Sequence, residues 1–288
     1  MNMNLAPNTA LIDTDRASTE TAEGIAITIR DLYLQLAGRG DLRPGPDVDE
    51  LFGCLVRTVL ATPPDVAAHV LADPGVQALA GDLRELCRRG ETELERAWSG
   101  RIAAGVSPGD ELARFPYVDN YRRLVSMELD ALAAVTATAQ RSIAFVGAGP
   151  LPLSALLFAR PGTSVHGFDR DQDAVDRARR TAASLGRSDV RFDCADATAV
   201  DLGAYDVVVL AALVGATPAE KRLILGSLAA AMRPGATLLA RSADGLRTLL
   251  YPAVEPDVLD GFDLLQVVHP TGDVINSAVL ARVRGAGG

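Results

Sequence analysis

The chain has 288 residues, enough for one large domain or two smaller ones, and its 48% hydrophobic content supplies a substantial core. Its formal charge of -9 argues against nucleic acid and against anionic membrane surfaces as partners. Three widely spaced cysteines, Cys54, Cys87 and Cys194, fit reduced thiols in a cytoplasmic protein better than a disulfide frame or a zinc site.

The N-terminus carries Asp13, Asp15, Glu20 and Glu23 and no apolar run of signal-peptide type. No stretch approaches the roughly 18–20 apolar residues of a membrane span. Residues 1–20 are poor in apolar side chains and are expected to be flexible. From about Ala22 the pattern becomes helical. Ile25, Ile27, Ile29, Leu32, Leu34 and Leu36 fall on a broad apolar face, and Gly38-Arg39-Gly40 ends it. Residues 41–47 read as a turn. A second helix covers 48–61, with Leu51, Leu55, Val59 and Leu60 inward, until Thr62-Pro63-Pro64 breaks it. A short helix at 65–72 precedes a long one from 76 to about 102, which carries Leu79, Leu83, Leu86, Leu94 and Trp98. Residues 103–110 read as a loop and 115–121 as a compact aromatic corner. A further helix from 124 to about 138 leads into the second half.

That second half alternates strand and helix. Strands are expected at 142–147, 164–169, 190–193, 205–211, 235–241, 262–268 and 274–282. Helices are expected at 152–159, 171–185 and 217–232, with a short one near 245–250. Five strands with intervening helices, then two closing strands with the last antiparallel, predict an α/β fold. It is a Rossmann-like sheet of the class I methyltransferase type. The expected organisation is a flexible terminus (1–20), an all-helical substrate and lid domain (21–138) and a Rossmann-like domain (139–288).

The segment that organises the chain is Val146-Gly147-Ala148-Gly149-Pro150-Leu151-Pro152-Leu153, a strand that stops at two glycines and runs on into a helix. The glycines let backbone approach a ligand closely. A dinucleotide fingerprint needs a third glycine, and Pro152 stands there instead, which argues against NAD and FAD. S-adenosylmethionine (SAM) suits the pattern better. Asp169 ends the second strand where a ribose ligand belongs, and Asp196 with Ala197 follows the third strand, near the expected adenine. Leu210 and Ala211 end the fourth, where carbonyls can line the sulfonium or amino group. The plainer alternative is a turn glycine pair with ordinary core and capping residues, and Asp171 does read as a helix N-cap.

Beyond the loop, several runs resemble the nicotianamine synthases. They are 146–153 itself, Phe168-Asp169-Arg170-Asp171, Leu210-Ala211-Ala212-Leu213-Val214-Gly215 with Glu220-Lys221, and Arg241-Ser242-Ala243-Asp244-Gly245-Leu246-Arg247. Tyr251-Pro252, His269-Pro270 and Val274-Ile275-Asn276-Ser277 belong to the same set, and the likeness continues more loosely at Cys87, Glu91, Glu95 and the 115–121 corner. The resemblance implies attack by an amine on Cγ of SAM, transfer of the 3-amino-3-carboxypropyl group and release of methylthioadenosine. An alternative in the same group is closure of SAM on itself to azetidine-2-carboxylate. The sulfonium is already an activated leaving group, so the chemistry asks for position and an unprotonated nitrogen rather than a metal.

The resemblance also assigns residues. Glu91 and Glu95 are one helical turn apart and share a face, and an acid of this helix is expected to bind the substrate amine. The plain reading is a solvated acidic face beside Arg88 and Arg96. Tyr117 is expected as a pocket phenol, with Tyr121 one turn on. The family corner has a second tyrosine where this chain has Val118, which favours a smaller acceptor or self-cyclisation. Arg241 and Ser242 are candidates for holding a carboxylate, and His269 for accepting a proton, although a tied arginine and a turn histidine serve as well. His and Cys residues show no ligand spacing, so no bound metal is expected. A SAM-binding regulatory protein that has lost its chemistry is a third reading, disfavoured by the retained acids. The expected partners are small molecules only, and the oligomeric state is left open, a homodimer included.

Overall fold

A computed structural model describes residues 9–136 and 142–285 of the chain, with side chains from residue 18 onward. Six helices come first: α1 (Thr9–Ala37), α2 (Pro46–Ala61), α3 (Pro64–Ala72), α4 (Pro74–Ala104), α5 (Pro108–Ala113) and α6 (Val118–Val135). Proline opens α2 through α5 in the first turn, where its missing N–H has no intrahelical partner to lose. The Asp73 side chain caps α4 by accepting from the Val76 N–H at 2.9 Å.

Helix α1 starts at Thr9, inside the segment expected to be flexible. Residues 1–8 of that expectation, the last residues expected of the 124–138 helix and the junction at 138/139 lie outside the described residues. The α1 face is also narrower than its composition suggested. Ala22, Ala26, Ile29, Leu32 and Leu36 are buried, whereas Ile27 and Leu34 are exposed, because a 3.6-residue period cannot bring alternate residues to one side. In α2, Leu55 and Val59 are buried, while Leu51 and Leu60 are only partly covered. Part of the expected 103–110 loop is the start of α5.

The second half is a seven-stranded sheet in the order β3-β2-β1-β4-β5-β7-β6. Its strands are β1 (Ser142–Val146), β2 (Ser164–Asp169), β3 (Val190–Cys194), β4 (Val207–Leu210), β5 (Thr237–Ser242), β6 (Phe262–Val268) and β7 (Ser277–Val283). β3, β2, β1, β4 and β5 pair in parallel, and β7 runs antiparallel between β5 and β6. Residues 274–276, expected to open the last strand, precede β7 as a non-strand segment. The helices are α7 (Leu153–Phe158), α8 (Gln172–Ser184) and α9 (Pro218–Ala231), and the helix expected near 245–250 is a 3-10 turn, Gly245–Leu249. Asp171 caps α8, and Thr217 with Glu220 forms a reciprocal capping box on α9. β4 and β5 are buried throughout, as central parallel strands covered on both faces must be.

Apolar clusters lie on both faces of the sheet, one including Ile143, Phe145 and Val209, the other Val146, Val208 and Leu225. The helical half joins the sheet at two further clusters. Ile29, Leu55 and Leu83 pack with Leu246 and Leu249 of the 3-10 turn. Ile102, Phe115 and Val118 pack with Leu151 and Leu153 of the glycine loop. These two attachments hold α4 and α6 over the carboxyl edge of the parallel strands.

Candidate active site

At that edge the helical half leaves a cavity of about 1380 Å³. Open α/β sheets bind ligands at the carboxyl ends of their strands, beside the point where the strand order reverses, which here is the β1–β4 pair.

The first wall is the loop after β1. Gly147 and Gly149 have φ of 85° and 68°, which glycine tolerates best. A Cβ on Gly147 would lie 2.3 Å from Val214 Cγ2, and one on Gly149 2.5 Å from Glu95 Oε2. The first glycine thus admits the loop after β4, and the second admits a carboxylate from α4. Gly149 N–H donates to Asp169 Oδ2 at 2.9 Å, and Asp171 N–H to Oδ1 at 3.0 Å. These bonds orient the Asp169 carboxylate and leave lone pairs for a diol, since an ionised carboxylate has about four acceptor sites. Asp196 sits at the rim. Its carboxylate accepts from Thr198 N–H and Oγ1 at 2.8 and 2.6 Å, which hold it below the usual carboxylate range.

The second wall is the loop after β4. Ala211 lines the cavity, while the Leu210 side chain faces the core. Lys221 of α9 is buried beneath this loop and donates to the carbonyls of Ala212 and Val214 at 3.0 and 2.5 Å. Burial lowers its ammonium pKa to about 8.

The third wall is acidic and phenolic. Glu91 and Glu95 of α4 point into the cavity together with Tyr121 of α6 and Tyr251. Gly90 helps set this rotation of α4. The Phe52 ring lies where its Cβ would be, with Cζ at 2.4 Å, so α2 packs directly on the α4 backbone. Tyr251 Oη donates to Glu91 Oε2 at 2.8 Å, and Tyr121 Oη to Oε1 at 3.4 Å. Burial raises the Glu91 pKa, opposed by these phenols. Glu95 is raised well above the ordinary range, first by burial and then by the charge of Glu91, while the Leu151 amide opposes. Burial and Glu91 push both phenols well up, so they remain neutral donors.

Other expected residues fall elsewhere. Tyr117 is partly exposed at the start of α6, edge-on to Phe115 with ring centroids 5.8 Å apart, and it does not line the cavity. Val118 is buried among Ile102, Phe115, Leu151 and Leu153, also off the cavity, so the argument from a lost hydroxyl there to self-cyclisation fails. Arg241 does reach the cavity, but its guanidinium donates to Glu128 at 2.7 and 2.9 Å and to Ser154 Oγ at 2.9 Å. Ser242 Oγ accepts from Val254 N–H at 2.8 Å and pins a loop. His269 lies outside, bonded through Nδ1 to Ser277 Oγ at 3.1 Å.

Sequence reasoning assigned no role to Tyr251, Lys221 or Asn276, although all three stand in the runs that carry the family likeness. Glu128 and Ser154 gave no signal, since their partner is remote in sequence. Among the described residues no group of three or more His, Cys, Asp or Glu side chains is placed to hold a metal ion.

The nicotianamine synthase family model matches residues 18–286. Nicotianamine synthase 1 of Oryza sativa subsp. japonica is 40% identical over 283 residues, covering 94% of this chain and 84% of the relative. Nicotianamine synthase 1 of Arabidopsis thaliana is 38% identical over 268 residues, covering 89% and 83%. Among solved structures, MtNAS in complex with MTA and tNA is similar at 25% identity with a TM-score of 0.79, covering 89% of this chain and 97% of that one.

Proposed function

The chain belongs to the nicotianamine synthase family, and from that premise we propose how its cavity carries out SAM-dependent 3-amino-3-carboxypropyl transfer. An amine attacks Cγ of SAM, the N–Cγ bond forms, and the Cγ–S bond breaks with its electron pair passing to sulfur. Methylthioadenosine leaves.

The observation that carries the reading is the half-buried Glu91–Glu95 pair, which lines the cavity against the Gly149 loop. An incoming amine is an ammonium at neutral pH and has no lone pair. A carboxylate whose pKa is raised by burial is a better proton acceptor than an exposed one. Tyr121 and Tyr251 orient Glu91 without neutralising it. During attack the positive charge moves from sulfur to nitrogen, toward these carboxylates, so the pair stabilises the charge where it develops. The helical half partly covers this wall, and reduced contact with solvent strengthens that interaction. Gly147, Gly149, Pro150, Asp169, Asp196, Ala197 and Ala211 are assigned to SAM, and residues 21–138 to the substrate side.

Self-cyclisation to azetidine-2-carboxylate is not favoured, since the relatives are nicotianamine synthases and Val118 lies off the cavity. A cytoplasmic setting in secondary metabolism and a small-molecule partner set complete the proposal. The free thiols of Cys54, Cys87 and Cys194 support a reducing compartment. No single helix among the described residues is long and apolar enough to cross a membrane, though the bent pair α2–α3 passes on length and composition together.

The test is incubation with SAM alone and with SAM plus amino acids, followed by mass spectrometry. Methylthioadenosine with an aminocarboxypropyl adduct is expected, and Glu91→Gln should reduce it while SAM still binds. Azetidine-2-carboxylate from SAM alone would overturn the transfer reading, and S-adenosylhomocysteine would overturn attack at Cγ.

A further inference from the structure

Lys221 is the only lysine in the chain, and the remaining permanently charged basic side chains are arginines. It is 1% exposed and stands behind the cavity wall, under the loop of residues 211–216 that follows β4 and lines the cavity. A buried ammonium is costly unless it is well bonded. Lys221 Nζ donates to the Ala212 carbonyl at 3.0 Å and to the Val214 carbonyl at 2.5 Å. Both acceptors belong to the loop, so the charge acts on the loop's conformation.

Those two bonds fix two peptide planes. In a trans peptide the C=O and the N–H that follows it point to opposite sides. The carbonyls of Ala212 and Val214 turn down to Lys221, so the N–H groups of Leu213 and Gly215 turn away from it, toward the cavity that both residues line. Neither N–H has a hydrogen-bond partner among the described residues, whereas Val214 N–H donates to the Ala211 carbonyl at 3.2 Å and Ala216 N–H to Glu220 Oε2 at 2.9 Å. The wall after β4 therefore presents two half-buried donors to the cavity.

The loop is locked to its neighbours as well. Gly215 has a φ of 79°, and a Cβ there would lie 3.1 Å from the Lys221 backbone nitrogen and Cα. Val214 fills the space that Gly147 leaves free, with Cγ2 2.3 Å from where a Cβ would be. The lysine, the loop after β4 and the glycine loop are thus in one chain of contacts.

We propose that Lys221 is a positioning residue for SAM. Through the carbonyls of Ala212 and Val214 it holds the Leu213 and Gly215 amides toward the cavity, where they donate to an acceptor atom of SAM. The proposal rests on the transfer reading, which puts SAM between the glycine loop and the loop after β4, and adds to it a residue that does not touch the ligand. Buried donors are nearly always paired, and these lack a protein partner. SAM carries two sources of such an acceptor, the carboxylate of the transferred group and the oxygen and nitrogen atoms of the nucleoside. Methylthioadenosine keeps only the second.

The test compares wild type with Lys221→Met, whose side chain is of similar length and has no donor. SAM and methylthioadenosine are titrated calorimetrically into each protein. Both proteins are also labelled at the valine carbonyl carbon and the glycine nitrogen, so that only Gly147 and Gly215, the two glycines that follow a valine, give signals. The Gly215 signal is the one that Val214→Ile removes. In wild type the Gly215 N–H should move downfield when ligand binds. Lys221→Met should lose that movement and bind SAM about tenfold more weakly. Weakening for SAM alone assigns the acceptor to the carboxylate, and weakening for both ligands assigns it to the nucleoside. A wild-type Gly215 signal that neither ligand moves downfield overturns the proposal, even if Lys221→Met binds poorly, since the lysine is then structural only. Affinity for SAM in Lys221→Met within about twofold of wild type also overturns it. If Lys221→Met does not fold, Lys221→Arg takes its place with the same outcomes, because a flat guanidinium keeps the charge without the compact donor geometry. A wild-type protein that binds SAM but releases no methylthioadenosine with any amine removes the transfer reading and leaves this test in force.

Discussion

Arg241 and Glu128 form a buried ion pair at the base of the cavity, 7% and 0% exposed in their side chains. Two hydrogen bonds join them, Ser154 Oγ accepts a third, and the guanidinium lies 5.3 Å from the centre of the Phe145 ring. Burial works against the charge of Arg241, and Glu128, with Tyr121 and Glu91, together outweighs it. Removing one partner leaves a buried charge uncompensated, a loss of about 3–5 kcal/mol. At a chain length where 1 kcal/mol shifts Tm by about 2 °C, Arg241→Met or Glu128→Leu alone should lower Tm by about 6–10 °C. The double variant should recover most of that, because methionine and leucine fill the space and no charge remains. Scanning calorimetry on the four proteins measures the cycle. A single variant within about 1 kcal/mol of wild type, or a double variant as unstable as the sum of the singles, would refute the structural role. Arg241 would then be free to meet a substrate carboxylate.

Burial and Glu91 raise the Glu95 pKa well above the ordinary carboxylate value. Between the unfolded and folded pKa values the unfolded chain binds fewer protons, so this residue lowers stability as pH rises. Glu95→Gln should therefore melt above wild type at pH 8, lose that advantage at pH 4, and release methylthioadenosine more slowly; paired melting and turnover assays check all three. Gly149→Ala should weaken SAM binding by tenfold or more, because alanine at a φ of 68° costs about 1–2 kcal/mol and its Cβ meets Glu95; calorimetric titration reads it. Tyr117→Phe should stay within about twofold of wild-type kcat/KM, as a partly exposed side chain off the cavity. Tyr251→Phe should lower kcat and leave SAM affinity unchanged, because its hydroxyl touches Glu91 and not the glycine loop.

What the sequence by itself determined was periodic or local. The alternation of apolar strands and helices is enough to predict the sheet, because parallel strands buried on both faces must be apolar throughout. The Gly147–Gly149 spacing, Asp169 at the end of β2 and Asp196 after β3 mark the edge of the sheet where the cavity lies, since open parallel sheets bind ligands at the carboxyl ends of their strands. The shared face of Glu91 and Glu95 follows from one turn of helix. Only the tertiary structure decided which wall each side chain joins. Tyr117 and Tyr121 are also one turn apart, yet the first faces away and the second reaches Glu91, because Phe115 and Val118 anchor the start of α6 to Leu151 and Leu153. For Arg241 the sequence leaves both a substrate carboxylate and a structural tie open, and Glu128, 113 residues away, supplies the tie. Tyr251 and Asn276 enter the cavity on segments that β5, β7 and the α6 contacts bring beside α4. Such placements come from packing between remote segments, which leaves no period or spacing in the chain to read.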